Sequence, residues 1–328
     1  MYTKIYSDPD IYNLYVPLPD NPLKNLNCYI IKTDDRSLII DTGFNRPECL
    51  EAMTEGLKEL DIDPEKTDIY ITHLHSDHTG LVSLFVNDKM RVYMPRIDHA
   101  YLEGAILGDQ WTDFENYYMS EGFPPSEVTA LRVTNPARSF APSGYFDAIR
   151  LDDGDSLMVG KYEFKCISTP GHTPGHMCLY YEKDAIMFLG DHVLFDITPN
   201  ICWWKDFDNS LATYLESLKK IRSFKMETVF PAHRTTSLNV YDRIDQLLEH
   251  HKARLQNTLD VIKANPGNHA YDIAGLMKWS MRGKNWAEFP MHQKWFAVGE
   301  TIAHLDYLLD EGLIKKEEKD GIKYYYAL

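Results

Sequence analysis

The sequence predicts an α/β protein, on three observations. Short apolar runs rich in β-branched residues alternate with stretches of helical spacing. Four of those runs end in loops that carry potential metal ligands. With 328 residues, the chain can bury a full two-layer core and carry extra elements, since domains usually hold about 100 to 200 residues.

In chain order, Ser37-Leu38-Ile39-Ile40 reads as a strand that runs into Asp41-Thr42-Gly43. Asp68-Ile69-Tyr70-Ile71-Thr72 is the next strand, and it leads into His73-Leu74-His75-Ser76-Asp77-His78, where four of six positions are potential metal ligands. Gly80-Leu81-Val82-Ser83-Leu84-Phe85 then opens like a helix, which puts the four on a strand-to-helix loop. There His73 and His75, two apart on extended backbone, project to one side while the turn swings Asp77 and His78 toward a neighbouring point. Neutral imidazole and ionised carboxylate suit zinc and similar divalent ions, and one such loop can serve two of them.

Arg91-Val92-Tyr93-Met94 is a further strand, and residues 95–150 after it read as an inserted helical lid. Tyr101, Trp111, Phe114, Tyr117, Tyr118, Phe123 and Phe140 fall here, interrupted by Pro124-Pro125 and Pro136. Ring by ring, these side chains are expected to pack the insertion onto the core. Together with Trp203 and Trp204 they can also wall a pocket for an apolar substrate group. Phe164-Lys165-Cys166-Ile167-Ser168 is a strand ending in Thr169-Pro170-Gly171-His172-Thr173-Pro174-Gly175-His176. Ala185 to Leu189 ends in Gly190-Asp191, and Thr228-Val229-Phe230 ends in Pro231-Ala232-His233.

This ordered set, HxHxDH, a histidine in PGHTPGH, an aspartate in GD and a histidine in PAH, resembles the metallo-β-lactamase-fold hydrolases over roughly residues 1–239. The resemblance implies a four-layered αββα sandwich as the catalytic domain. It also implies that His73, His75 and His172 hold one metal, that Asp77, His78 and His233 hold a second, and that Asp191 bridges. Asp77 and Asp191 are then the catalytic carboxylates, and the cofactors are two divalent ions, zinc by default with iron or manganese as alternatives. Asp41 matches the family's early strand-turn element and is expected to be buried beside the metal loop. His176 and His192 fall outside the ligand positions. His99, His250, His251, His269, His292 and His304 have no motif around them, and Arg234 and Asn200 read as structural polar groups.

Departures from subgroup patterns narrow the reaction. Asp191 stands where the antibiotic-hydrolysing zinc lactamases lack a bridging aspartate, His75 where flavodiiron proteins place a carboxylate, and Leu194 where related lactonases carry a tyrosine. The TPGHTPGH form is similar to glyoxalase II-like thioesterases, although the glutathione-binding tail of that group is not recognisable. Hydrolysis of a small-molecule ester or thioester is therefore expected. The alternatives are a phosphodiesterase or endoribonuclease of the same fold, and a non-catalytic metal-containing binding protein.

The tail, residues 240–328, reads as a separate module. Val240, Ile244, Leu247, Leu248, His251, Leu255, Leu259 and Ile262 repeat at helical spacing until Asn265-Pro266-Gly267. Tyr271 to Met277 is a short second helix, and Val298, Ile302, Leu305 and Leu309 mark a third. Asp320-Gly321 between two β-prone runs signals a hairpin. Helices followed by a hairpin resemble a winged-helix module, as in β-lactamase-like protein 2-like family members. Its charges nearly cancel, at 12 Lys and Arg against 13 Asp and Glu, so a scaffold or homodimer role is favoured over DNA binding.

The net charge of −15 therefore lies almost wholly in residues 1–239, with 22 basic against 36 acidic residues. Such a surface repels phosphate backbones, which makes nucleic acid a disfavoured partner and a small molecule the expected one. Cys28, Cys49, Cys166, Cys178 and Cys202 are scattered without a CxxC pair and read as reduced core residues. No run of eighteen apolar residues and no signal-peptide pattern occurs, so a cytoplasmic protein away from membranes is expected.

Overall fold

The computed structural model describes residues 2–279 and 285–328. A first sheet takes its strands in sequence order: β1 (Tyr2–Tyr6), β2 (Asp10–Pro17), β3 (Asn25–Lys32), β4 (Ser37–Ile40), β5 (Thr67–Tyr70), β6 (Val92–Pro95) and β7 (Ile149–Leu151). Pairing is antiparallel from β1 to β4 and parallel from β4 to β7. Helix α1 (Pro47–Glu59) crosses from β4 to β5, and the one-turn helices α2 (Ser76–Thr79) and α3 (Val82–Phe85) lie between β5 and β6. The insertion between β6 and β7 holds α4 (Arg96–Leu107), α5 (Gln110–Ser120), α6 (Pro125–Thr134) and α7 (Pro136–Ser139).

The second sheet comprises β8 (Ser156–Val159), β9 (Tyr162–Ser168), β10 (Met177–Tyr181), β11 (Ile186–Gly190) and β12 (Thr228–Pro231), ordered β12-β11-β10-β9-β8, with α8 (Ser210–Arg222) joining β11 to β12. Period-two side-chain alternation sorts the strands into layers. Leu26, Cys28, Ile30, Ile39 and Ile69 pack outward with Cys49 and Met53 of α1. Tyr29, Ile31, Leu38, Ile40 and Tyr70 face inward against Phe164, Cys166, Leu179 and Phe188 of the second sheet. Cys178, Tyr180, Met187 and Leu189 face the other way, onto Leu211, Tyr214 and Leu218 of α8. The expected αββα sandwich results.

This topology gathers the motif loops at one edge. Parallel β4 and β5 end on the same side. Strands β9, β11 and β12 share a direction because β10 runs antiparallel between β9 and β11. The Met177 amide donates to the Thr72 carbonyl at 3.0 Å, and the Tyr70 hydroxyl donates to the Met177 carbonyl at 3.1 Å. These two bonds lock the sheets together where their ligand-bearing ends meet.

Helix α9 (Val240–Ala264) is shared between two environments. Val240, Ile244 and Leu247 join the outer layer beside α8. Val261 and Ile262 enter a fourth core built with α10 (Ala270–Leu276), α11 (Met291–Asp310) and the antiparallel hairpin of β13 (Ile314–Lys319) and β14 (Ile322–Ala327). Asp320 and Gly321 turn the hairpin with positive φ, as the DG pair requires. Tyr118, Phe123, Val128 and Leu131 of the insertion belong to this same core, and Tyr118 stacks on Trp295 at 3.7 Å and 3°. Of the insertion's rings, Phe140 packs on Phe44 of the sandwich core as expected, whereas Phe114, Tyr117, Tyr118 and Phe123 pack instead against the C-terminal elements. Among the described residues no helix is long and apolar enough to cross a membrane.

Candidate metal centre

The chain after β5 departs from the expected loop. His75 is the extended N-cap of α2, so Asp77 and His78 stand on a single helical turn. The helix expected from Gly80 to Phe85 forms over Val82–Phe85 as α3, with Gly80 capping α2. Glycine at 80 has a packing reason, because a Cβ there would lie 2.6 Å from the Gly43 carbonyl oxygen. Gly43 follows Asp41, itself at φ 62°, so two tight turns interlock beneath the ligands.

All seven side chains expected to bind metal converge. Nε2 of His73 lies 3.1 Å from Nδ1 of His75, and the donor atoms of His73, His75 and His172 form one compact group. Asp77, His78 and His233 form another, with His233 Nε2 3.2 Å from Asp77 Oδ2. Asp191 stands between. Its Oδ2 is 3.5 Å from His172 Nε2, and its Oδ1 is 3.3 Å from His233 Nε2 and 3.6 Å from His78 Nε2.

Three of these imidazoles, His78, His172 and His233, have buried Nε2 atoms without a hydrogen-bond partner, as has Oδ1 of Asp191. Leaving such atoms unpaired costs roughly 1–3 kcal/mol each, and unpaired atoms turned into these two groups fit divalent cations. Burial and neighbouring imidazoles hold His73 well below its ordinary pKa, and burial brings His75 and His172 down to about 4. They are neutral, as ligands must be. His78 is the converse: burial opposes its charge, yet Asp41, Asp77 and Asp191 raise it to about 10. Three carboxylates around it favour positive charge there, whether a proton or a metal supplies it.

A second ring of contacts sets the orientation of each imidazole. Asp41 is buried, accepts from the Thr72 amide at 2.9 Å, and places Oδ2 2.8 Å from His78 Nδ1. His233 Nδ1 is 2.7 Å from the Asn25 carbonyl, and His172 Nδ1 is 2.8 Å from that of Asn200. Such bonds fix the tautomer and leave Nε2 free to ligate. His176 does not join the cage; its Nε2 accepts from the Asp191 amide at 3.1 Å. His192 is buried edge-on to Tyr214.

Asp98 is a residue that reading the sequence missed. Carried on α4 and fully buried, it accepts from the Leu74 amide at 2.9 Å, the Thr173 hydroxyl at 2.6 Å and the Gly175 amide at 2.6 Å. It therefore ties the first ligand loop to the second. Its signal was faint, a lone carboxylate in a mixed polar helical turn, Arg96-Ile97-Asp98-His99-Ala100. Trp204 stacks on His75 at 5.9 Å, with Tyr101 and Phe114 edge-on behind it. Of the rings expected to wall a pocket, Tyr101, Phe114 and Trp204 stand beside the cage, whereas Trp203 stacks on Tyr117 at 3.5 Å within the fourth core. Arg234 and Asn200 turn elsewhere: the Arg234 guanidinium donates to the Pro22 carbonyl, and the Asn200 amide donates to Glu300 at 3.0 Å.

Two facing sheets with histidines and aspartates converging from their strand ends define the class of the metal-dependent αββα hydrolases. The chain belongs to the metallo-beta-lactamase superfamily, whose family model matches residues 22–233. Residues 286–328 match the model of the metallo-beta-lactamase-like C-terminal domain. A metallo-beta-lactamase family protein of Thermus thermophilus superposes with a TM-score of 0.80 at 25% identity, covering 97% of this chain and 98% of its own. A beta-lactamase domain protein of Burkholderia ambifaria gives 0.80 at 26%, covering 99% and 93%. Among curated relatives, an atrochrysone carboxyl ACP thioesterase of Emericella nidulans is 27% identical over 69% of this chain. The match spans 57% of that relative's length. The beta-lactamase-like protein 2 homolog of Caenorhabditis elegans is 22% identical over 92% of this chain and 84% of its own.

Proposed function

We propose that the protein is a dinuclear metal-dependent hydrolase acting on an ester or thioester of a small molecule. One observation carries the dinuclear reading: each carboxylate oxygen of Asp191 faces a different group of imidazoles. In this reading His73, His75 and His172 hold one ion, Asp77, His78 and His233 hold the other, and Asp191 is shared. Zinc is favoured over iron or manganese only as the usual ion for such donors. Two divalent ions bound there supply Lewis acidity and an activated water.

The chain's own residues do the rest. Asp77 would be raised by burial, but His78 and His233 pull it well below the carboxylate range. It stays ionised and can accept a hydrogen bond from the attacking water at its carboxylate. Trp204, Tyr101 and Phe114 present an apolar face beside His75 for the acyl group. A thiolate leaves without help from a strong general acid, and no such acid is needed from the residues around the cage. The thioesterase named among the relatives supports this bond type, and the acidity of residues 1–239 weighs against a phosphodiester.

The test is turnover of an acyl-thioester, bis-p-nitrophenyl phosphate and single-stranded RNA at defined metal loading. Thioester cleavage is expected to dominate and to fall by about a thousandfold or more in Asp191→Ala. Phosphodiester cleavage that dominates and vanishes in the same variant would overturn the substrate class. Metal binding without turnover of any substrate would favour a binding protein.

A further inference from the structure

We infer that helix α11 is a positioning element of the metal centre, acting through Glu300 and Asn200 on His172. The inference rests on the metal-binding reading of His172. Segment 200–204 links the two sites. At one end the Asn200 carbonyl accepts from His172 Nδ1 at 2.8 Å. At the other end the Trp204 indole donates to the His172 carbonyl at 3.3 Å while its ring stacks on His75. His172 is thus gripped through side chain and backbone by the two end residues of one five-residue segment.

That segment is fixed in turn by α11. The Asn200 amide donates to Glu300 Oε2 at 3.0 Å, and the Trp203 amide donates to the Gly299 carbonyl at 3.2 Å. Glu300 is 7% exposed, and its other oxygen lies 3.4 Å from Arg254 Nε of α9. A carboxylate held in the interior needs such partners. Glycine at 299 allows the approach: a Cβ there would stand 2.8 Å from Cys202 Sγ and collide with the Tyr118 hydroxyl. Glycine costs a helix interior about 1 kcal/mol relative to alanine, so its presence in α11 has a reason in this contact.

By contrast, the partners that orient His78 and His233 come from the sandwich itself, Asp41 after β4 and Asn25 on β3. His172 takes its orientation from a segment anchored on α11 through Asn200 and Trp203, with Ser210 of α8 donating to the Cys202 carbonyl at 2.6 Å as a further hold. The C-terminal elements therefore complete the site, in addition to any scaffolding or dimerisation role.

The experiment is zinc competition against a chromophoric chelator on the full chain, with the visible spectrum of the cobalt-loaded protein as a second readout. Glu300→Ala and Asn200→Ala are each expected to weaken one of the two zinc equivalents about tenfold or more. Both should shift the cobalt bands, and the double variant should be no worse than either single one. Glu300→Gln retains an acceptor for the Asn200 amide and should restore near-normal affinity. Glu121→Gln, which removes a buried charge elsewhere against the same module, should lower thermal stability without moving zinc affinity. If Glu300→Ala does not fold, Asn200→Ala poses the same question with α11 intact. Wild-type protein that binds two zinc ions and variants that bind them equally well, or a Gln variant that fails to rescue, would overturn the inference alone. Wild-type protein that binds no zinc would overturn the metal-binding reading beneath it.

Discussion

The imidazoles of the sandwich edge and two carboxylates of the fourth core, Glu115 and Glu121, are buried polar groups with opposite partnering. In the fourth core two buried carboxylates are matched: Glu121 accepts from Lys323 at 3.0 Å and from Tyr325 at 2.9 Å, and Glu115 pairs with Arg132 and Arg138. At the edge, each imidazole of His78, His172 and His233 has one nitrogen satisfied and the other left bare. Satisfied burial specifies packing, whereas unsatisfied burial turned into these two groups costs stability that only a ligand restores. The difference separates the groups that hold the protein together from those expected to act.

Substitutions can break that contrast. The largest effect is expected for Asp191→Ala, which removes the carboxylate shared by both imidazole groups. Turnover should fall by about a thousandfold or more, with metal content dropping in elemental analysis and the folded structure retained in circular dichroism. Next comes Glu121→Ala, which strands Lys323 and the Tyr325 hydroxyl. Breaking a buried pair typically costs about 3–5 kcal/mol, to be read by denaturant unfolding, while the metal content of the remaining folded protein stays the same. If Glu121→Ala lost metal as readily as Asp191→Ala, the contrast would fail.

Asp41→Asn tests the second ring at the edge and should act more mildly. It keeps an acceptor for Thr72 but weakens the contact with His78 Nδ1. Metal affinity should drop about 10- to 100-fold, measured by chelator competition. The smallest effect is expected from Asp306, on the far side of the fourth core. Burial and the nearby Glu121 raise its pKa to about 7, against the opposing pull of Lys316 and Lys323. The fold therefore favours its protonated form, and that stabilisation fades as pH rises from about 4 through 7. Asp306→Asn should flatten this decline, so that its Tm relative to wild type is higher at pH 8 than at pH 5. An identical pH profile for the two proteins would show that Asp306 does not titrate in this way.

Much of the edge was legible in the chain because its chemistry is local. His73, His75, Asp77 and His78 are close in sequence, and His172, Asp191 and His233 each follow an apolar strand directly, so strand direction carries them to one side. The hairpin at Asp320-Gly321 and the end of α9 near Asn265-Pro266-Gly267 were equally local. The helical turn that carries Asp77 and His78 was not, because Ser76 to Thr79 is too short to show a period. Asp98 was hidden for another reason: its partners, Leu74, Thr173 and Gly175, are far from it along the chain, and a single buried carboxylate has no pattern of its own.

By itself, then, the sequence determined which donor atoms exist, the strand ends that bear them and the alternation that layers the two sheets. These follow from covalent spacing and from the periods of helix and strand. Only the tertiary structure decided that the insertion shares its core with α10 and α11, that Asp98 couples two ligand loops, and that Glu300 reaches Asn200. Those are contacts between distant segments, set by packing and by the pairing of buried polar atoms, and a one-dimensional pattern does not encode which surfaces meet.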